Sequence, residues 1–287
     1  MTGKLAALRR RGLLLVALAL QTPSAWAQPS LGVDVQVADR YMWRGITRSQ
    51  TWVAQPSILG SWFFPCLETS MLGVSVSAGA WANWQIARAG ASELSDLAPG
   101  RRGISEVDLW LEGAAHHDLF DFAAGVVRYI YPATDSGALR TRTDNTTELY
   151  ARLRLPRVPW VKPSLVTWVD VARVKGVYIE ASATTGLKLF PTGANLDVGA
   201  TAGLSLGQER MVTRPFQGFN SERPGLTYLE LVLGPSVGLG PVRIAVDWHP
   251  QWSFDDLTRR ASRTPGLTRV FFHWWTVSAG YTWQRAR

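Results

Sequence analysis

Asn195-Leu196-Asp197-Val198-Gly199-Ala200-Thr201-Ala202-Gly203-Leu204 decides the fold. Its even positions are apolar and its odd positions are small or polar. That is the period of a strand whose two faces meet different environments. About twelve segments of this kind follow one another, each closed by Gly, Pro, Asn or Asp. None is long enough for a membrane helix, but roughly ten residues suit a strand crossing a bilayer. Backbone groups in lipid find no water, so a spanning sheet must close on itself. The expectation is an all-β, up-and-down antiparallel transmembrane β-barrel of about twelve strands.

The strands are expected at 31–43, 52–63, 71–84, 104–116, 120–131, 146–155, 161–171, 176–189, 195–205, 226–236, 241–252 and 269–283. The connections alternate in length. Short ones fall at Pro65-Cys66, His117-Asp118, Pro156–Pro159, Pro191–Asn195 and Gly238–Gly240, and long ones at 85–103, 132–145, 206–225 and 253–268. Only the link at Arg173-Val174-Lys175 is short in the long register. Membrane barrels have short periplasmic turns and longer outer loops. With an even strand number, both termini are then expected in the periplasm of a Gram-negative bacterium.

Residues 1–27 have the form of an export signal. Lys4, Arg9, Arg10 and Arg11 precede the apolar run Gly12–Leu20, and Ala25-Trp26-Ala27 is an A-x-A cleavage site. The barrel domain is 28–287. The 287-residue chain has 30 Lys+Arg and 22 Asp+Glu, formally +8. The signal holds four of those bases and no acid, so cleavage leaves 26 bases against 22 acids, or +4. The two signs are interspersed, and no clustered basic face suggests nucleic acid. A single cysteine, Cys66, excludes an internal disulfide and a Cys-based zinc site. No metal-ligand cluster or cofactor motif is present, so neither is expected.

Fourteen tryptophans are many for this length. Trp43, Trp52, Trp81, Trp84, Trp248, Trp252 and Trp274 fall near expected outer strand ends, and Trp62, Trp160 and Trp283 near inner ends, as interfacial girdles would. The last strand alternates Trp275, Val277, Ala279, Tyr281 and Trp283 with small polar residues. It is similar to the C-terminal signal that outer-membrane barrels present to their assembly machinery.

Alternation also assigns faces. In Glu106-Val107-Asp108-Leu109-Trp110-Leu111-Glu112 the apolar residues are expected outside and Glu106, Asp108 and Glu112 inside. The same logic turns Asp34, Arg40, Glu148, Arg152, Arg154, Lys162, Asp170, Glu180, Lys188, Asp197, Glu230, Arg243 and Asp247 to the lumen. Arg128 lies in a segment apolar on both parities. It is assigned inward because Arg on the lipid face at mid-depth costs about 2–4 kcal/mol. The lumen is thus charged and mixed in sign.

Asp39-Arg40-Tyr41-Met42-Trp43-Arg44-Gly45-Ile46 resembles the opening motif of Gcw_chp, a proteobacterial family of small outer-membrane proteins. Gln55-Pro56-Ser57, Glu106-Val107-Asp108-Leu109, Tyr129-Ile130-Tyr131-Pro132 and Thr147-Glu148-Leu149-Tyr150 resemble its later landmarks, in the same order. The resemblance runs from about residue 31 to 190. It implies an exported barrel of largely unassigned function.

Three functions compete. The leading expectation is a narrow, porin-like passive channel, with separate acidic and basic walls that line a water-filled path and select small polar solutes. The alternative is a structural or surface-interaction barrel with the charges paired across a closed lumen. Its outer loops carry Arg88, Arg101, Arg102, Arg140, Arg142, Arg210, Arg214, Arg223, Arg259, Arg260 and Arg263, suited to lipopolysaccharide phosphates among the surrounding outer-membrane lipids. The third, a lipid-modifying enzyme, finds little support in the four histidines. His116 and His117 fall at the periplasmic end, His249 near Asp247 and His273 at the outer rim, and no G-x-S-x-G occurs. The protein is not expected to be an enzyme.

Overall fold

Twelve strands close into an antiparallel barrel in the computed structural model. The structure describes residues 27–65, 72–90, 95–132, 145–156, 158, 160–173, 176–190, 193–206, 224–254 and 271–284. The segment 1–26, Cys66 and much of the connections that carry the loop arginines lie outside them. The wall is built from β1 (Gln28–Ala38), β4 (Val53–Pro65), β5 (Leu72–Gln85), β6 (Gly103–His117), β7 (Asp121–Ile130), β8 (Thr146–Arg154), β9 (Lys162–Asp170), β10 (Val177–Lys188), β11 (Ala194–Leu206), β12 (Gly225–Leu239), β13 (Val242–Ser253) and β14 (Phe271–Gln284). Each strand pairs with its sequence neighbour. β1 pairs with β14 as well as β4, with Val33 opposite Tyr281 and Ile58, so no edge is left unpaired.

The outward face is an apolar belt. Val35, Ile58, Val76, Leu111, Leu149, Leu187, Val246 and Val277 are all exposed. Water would penalise such a continuous surface, whereas lipid accommodates it. Trp52, Trp62, Trp84, Trp160 and Trp283 are exposed near strand ends, as girdle positions require. Where two large side chains would collide inside, one strand supplies glycine. A Cβ on Gly79 would stand 2.3 Å from the Trp110 ring, and one on Gly203 would stand 2.2 Å from the Tyr178 hydroxyl.

The first expected strand, 31–43, ends early. Asp39 stops it: its carboxylate accepts the backbone N–H of Trp275 at 3.0 Å, and the chain bends inward at Asp39-Arg40. Residues then form a separate hairpin, β2 (Tyr41–Trp43) and β3 (Ile46–Ser49), outside the barrel ladder. Arg44 (φ 49°) and Gly45 (φ 80°) make its turn. Two positive φ values in a two-residue loop match the twist of a tight hairpin, and the Arg conformation is costly unless its surroundings hold it. Every residue of β3 is buried. The hairpin lies inside the barrel.

Three further expectations are corrected. Trp43, Trp81 and Trp274 are not girdle residues. Trp43 and Trp81 pack against buried hairpin residues, and Trp274 is 5% exposed on the inward face of β14. Trp110, grouped with its outward neighbours Leu109 and Leu111, also points inward over Gly79. Arg128 is on the outward face of β7, where it donates to the hydroxyl of Thr147 at 2.9 Å. It sits two residues from the strand end, not at mid-depth. The lipid cost there falls to about 0–1 kcal/mol, so the argument for turning it inward does not apply.

Candidate functional site: a plugged lumen with an open vestibule

The hairpin divides the lumen into two unlike halves. At the end away from the chain termini, the interior is filled. The Arg44 guanidinium reaches the far wall and donates two bonds to Glu148 of β8, at 2.9 and 2.5 Å. It stacks on three rings, with its central carbon 4.5 Å from Trp43, 5.0 Å from Trp168 and 4.5 Å from Tyr178. Planar Arg suits both partners at once, a fork for the carboxylate and a face for the rings. Behind it, a Cβ on Gly45 would stand 2.6 Å from the Tyr228 ring, and Gln251 of β13 donates to the Gly45 carbonyl at 2.8 Å. The tip thus contacts β8, β9, β10, β12 and β13.

The base of the hairpin is held as firmly. Arg48 and Asp96 form an ion pair at 2.6 Å, with only 2% and 1% of their side chains exposed. Tyr41 donates to Glu106 at 2.8 Å, and Tyr131 donates to the other oxygen of the same carboxylate. Tyr129 donates to Glu148. Below, Gln55 donates to Asn83 and Asn83 to Ser105, a buried polar layer with its bonds made. On one side a cavity of about 200 Å³ remains between the hairpin and β12–β14, lined by Arg40, Arg44, Tyr228, Glu230, His249 and Thr276 among others.

The expected lumen residues therefore separate by role. Glu106 and Glu148 face inward as expected, but they are the socket of the hairpin, not an acidic wall along a water path. Asp108 lies between them on the inward face of β6. Glu180 accepts from Tyr228, and Glu230 accepts from His249, not Asp247. Asp170 holds the β9–β10 turn, accepting the N–H groups of Ala172 and Arg173 and the hydroxyl of Thr146. Arg40 sits at the bend and lines the small cavity.

The other half, at the end that carries both termini, is open. Small side chains line it: Ser30, Ser61, Ser75, Ser77, Ala114, Ser182, Thr184 and Gly199 all point inward on their strands. Cavities of about 690, 430 and 360 Å³ occur at this end. The charges here pair along the wall. Arg152 donates to Glu112 at 2.7 Å, Tyr150 donates to the second oxygen at 2.9 Å, and Arg243 pairs with Asp197. Arg154, Asp34, Asp247, Lys162 and Lys188 share this inward face without joining a single cluster. Among the described residues no group of three or more His, Cys, Asp or Glu is placed to hold a metal ion.

Sequence reasoning missed the centre of the plug. Arg44, Arg48, Asp96, Trp168, Tyr178 and Tyr228 were not singled out as lumen residues. Arg44-Gly45 is a tight-turn dipeptide only once Arg is allowed a left-handed φ, which a single sequence does not announce.

No family model matches the chain, and no curated protein matches it. Solved structures do. The barrel is similar to an outer membrane channel from Pseudomonas putida F1, with 9% identity, a TM-score of 0.49, and 91% of this chain and 97% of that one covered. It is similar to the KdgM porin, at 10% identity and a TM-score of 0.41 over 88% and 98%. LpxR from Salmonella typhimurium is similar at 9% and 0.41 over 88% and 99%. The likeness extends to the fold alone.

Proposed function

We propose that this protein is an outer-membrane barrel that stands shut at rest. The β2–β3 hairpin stoppers the outer half of the lumen, and the inner half is a polar vestibule open to the periplasm. The observation that carries the reading is Arg44, locked to the opposite wall. Withdrawal of the hairpin would have to break two buried ion pairs, Arg44–Glu148 and Arg48–Asp96. The orientation follows from the connections, because short turns lie on the periplasmic side of such barrels. Arg128, outward at the plugged end, is then placed for a phosphate of the outer leaflet. The alternating aromatic β14 suits recognition by the barrel assembly machinery. The proposed kinship with Gcw_chp gives its opening motif a physical role, because Asp39–Ile46 carries the bend and the turn of the plug.

One observation favours a second reading, the narrow channel for small polar solutes. The cavity beside the hairpin is lined by Arg40, Glu230 and His249, so polar space remains next to the plug. Planar-bilayer recording separates the two. The wild type is expected to be silent, and a variant with residues 40–51 replaced by a Gly-Ser linker is expected to conduct in steps. A wild type that conducts as steadily as that variant would overturn the shut reading and leave the channel.

A further inference from the structure

Three vestibule side chains stand in a relation that the shut barrel does not need. Ser75 is on β5, His116 on β6 and Asp121 on β7, all facing the lumen near the terminus end. His116 Nδ1 lies 3.0 Å from Asp121 Oδ1, and Ser75 Oγ lies 2.9 Å from His116 Nε2. A carboxylate only accepts, so Nδ1–H donates to Asp121. Nε2 is then the unprotonated nitrogen, and the Ser75 hydroxyl donates to it. Nucleophile, base and orienting carboxylate are thus in line, an arrangement recognised by geometry and not by chain order.

The wall builds this arrangement. His116 is directly opposite Asp121 across β6–β7 and directly opposite Gly73 across β5–β6. Gly73 leaves space that the Phe63 ring fills, since a Cβ there would stand 2.2 Å from that ring. Phe63 meets the imidazole edge-on, at 5.6 Å between centroids, and the imidazole leans to the diagonal neighbour Ser75. Opposite Ser75 is Ala114, and opposite Ala114 is Ala123, so its neighbours in register on the inward face are small. A cavity of about 360 Å³ lies over it, lined by Ser61, Phe63, Ser75, Ser77, Glu112 and Gln284 among others. His116, which lines that cavity, and Asp121 keep 38% and 31% of their side chains exposed.

The same pattern occurs a second time and shows what the first has in addition. His249 bonds Glu230 and Thr276, each at 3.0 Å. There the imidazole is stacked on Trp274 at 4.9 Å and Thr276 is 2% exposed, whereas Ser75 is only partly buried.

We propose that Ser75, His116 and Asp121 form a hydrolytic site for carboxylic esters that enter the vestibule from the terminus end. Ser75 Oγ attacks the ester carbonyl carbon as its proton passes to His116 Nε2, and Asp121 holds the ring. The tetrahedral adduct collapses, the C–O bond to the alcohol breaks, and His116 returns the proton to the departing oxygen. Water then attacks the acyl-Ser75, its proton again going to His116, and the carboxylic acid leaves with Ser75 restored. Strand N–H groups are occupied by the ladder, so the carbonyl oxygen must be met by side-chain donors. Ser77 and Gln284 line the same cavity. The ring of Phe63 gives the acyl group an apolar surface, and Arg154, opposite Asp121 in register, favours an anionic ester.

The proposal rests on the barrel wall alone and not on whether the hairpin seals. The test uses full-length protein folded in lipid vesicles and a fluorophosphonate probe, read by mass spectrometry of the Ser75 peptide. Heat-modifiable gel mobility verifies that each variant is folded. The wild type is expected to carry the adduct on Ser75 and to hydrolyse p-nitrophenyl butyrate. His116→Gln is expected to lower both rates at least about 100-fold, the contribution of a positioned general base. Asp121→Asn is expected to lower them while leaving the barrel folded, and Ser75→Ala to abolish them. No adduct on Ser75 in folded wild type, or labelling that survives His116→Gln unchanged, would overturn the proposal.

Discussion

Arg44 combines a strained backbone with a complete set of partners, and the combination explains why it must be arginine. Its φ of 49° is sparsely populated by residues other than glycine. Glu148 and three rings over-determine the conformation and hold it in place. Lysine would keep the charge but lose the second hydrogen bond and the planar stacking. Glu148→Gln is therefore expected to lower stability by about 3–5 kcal/mol, because it leaves a buried cation without its anion. Arg44→Lys should lose about 1.5–3 kcal/mol, the worth of a hydrogen bond to a charged group. Urea unfolding of the protein in lipid vesicles measures both. A Glu148→Gln midpoint equal to wild type would show that the hairpin tip is not anchored. Arg128 shows the opposite limit of residue-scale reasoning. Parity alone left it undecided, and its face was argued from a depth that the sequence does not contain. The structure places it at a rim, where snorkelling to water removes most of the cost.

Strands were legible wherever lipid faced one side and small polar groups the other. In β11 each apolar even position points out and each odd position in, because a one-residue slip would turn the whole set to the wrong solvent. The segment 31–43 failed for a physical reason. Tyr41, Met42 and Trp43 keep strand-like character beyond Ala38, but they bury against the interior of their own barrel. Hydrophobic patterning does not distinguish that from facing lipid. Trp81 and Trp274 were misplaced in the same way, by their position along the strand when parity was decisive. Where parity is secure, it makes a sharp prediction. Leu109 is outward near the middle of β6, and Asp108 beside it is inward. Leu109→Arg is expected to destabilise the barrel by about 2–4 kcal/mol. Asp108→Asn should be far milder, because it keeps a polar group of the same size on the lumen side. Heat-modifiable mobility and urea midpoints of the two variants decide it, and equal effects would mean that the register of β6 is wrong.

At the scale of the whole molecule, one loop converts a symmetrical wall into a vessel with a closed and an open end. The sequence disclosed the wall but not the vessel. Which polar groups meet depends on contacts between segments far apart in the chain, as with Glu106 and Tyr41 or Arg48 and Asp96. The Ser75–His116–Asp121 relation was hidden for the same reason: its members lie on three strands and meet only when all three registers are set. The polarity of the vessel is still visible in the connections. Both termini and the tight turn at Gly240 lie at the open end, while the spans 86–102, 131–145, 207–224 and 254–270 join strands at the closed end. Loop closure costs little with length, so long connections collect where cells tolerate them, on the outer side. A protease-cleavable tag inserted between residues 207 and 223 is thus expected to be cut on intact cells. The same tag at Gly240 should be cut only after the outer membrane is permeabilised. Cleavage in the reverse order would turn the barrel over. The vestibule, with its hydroxyls, its histidine and its unfilled space, would then face the outside of the cell, and the stopper would face the periplasm.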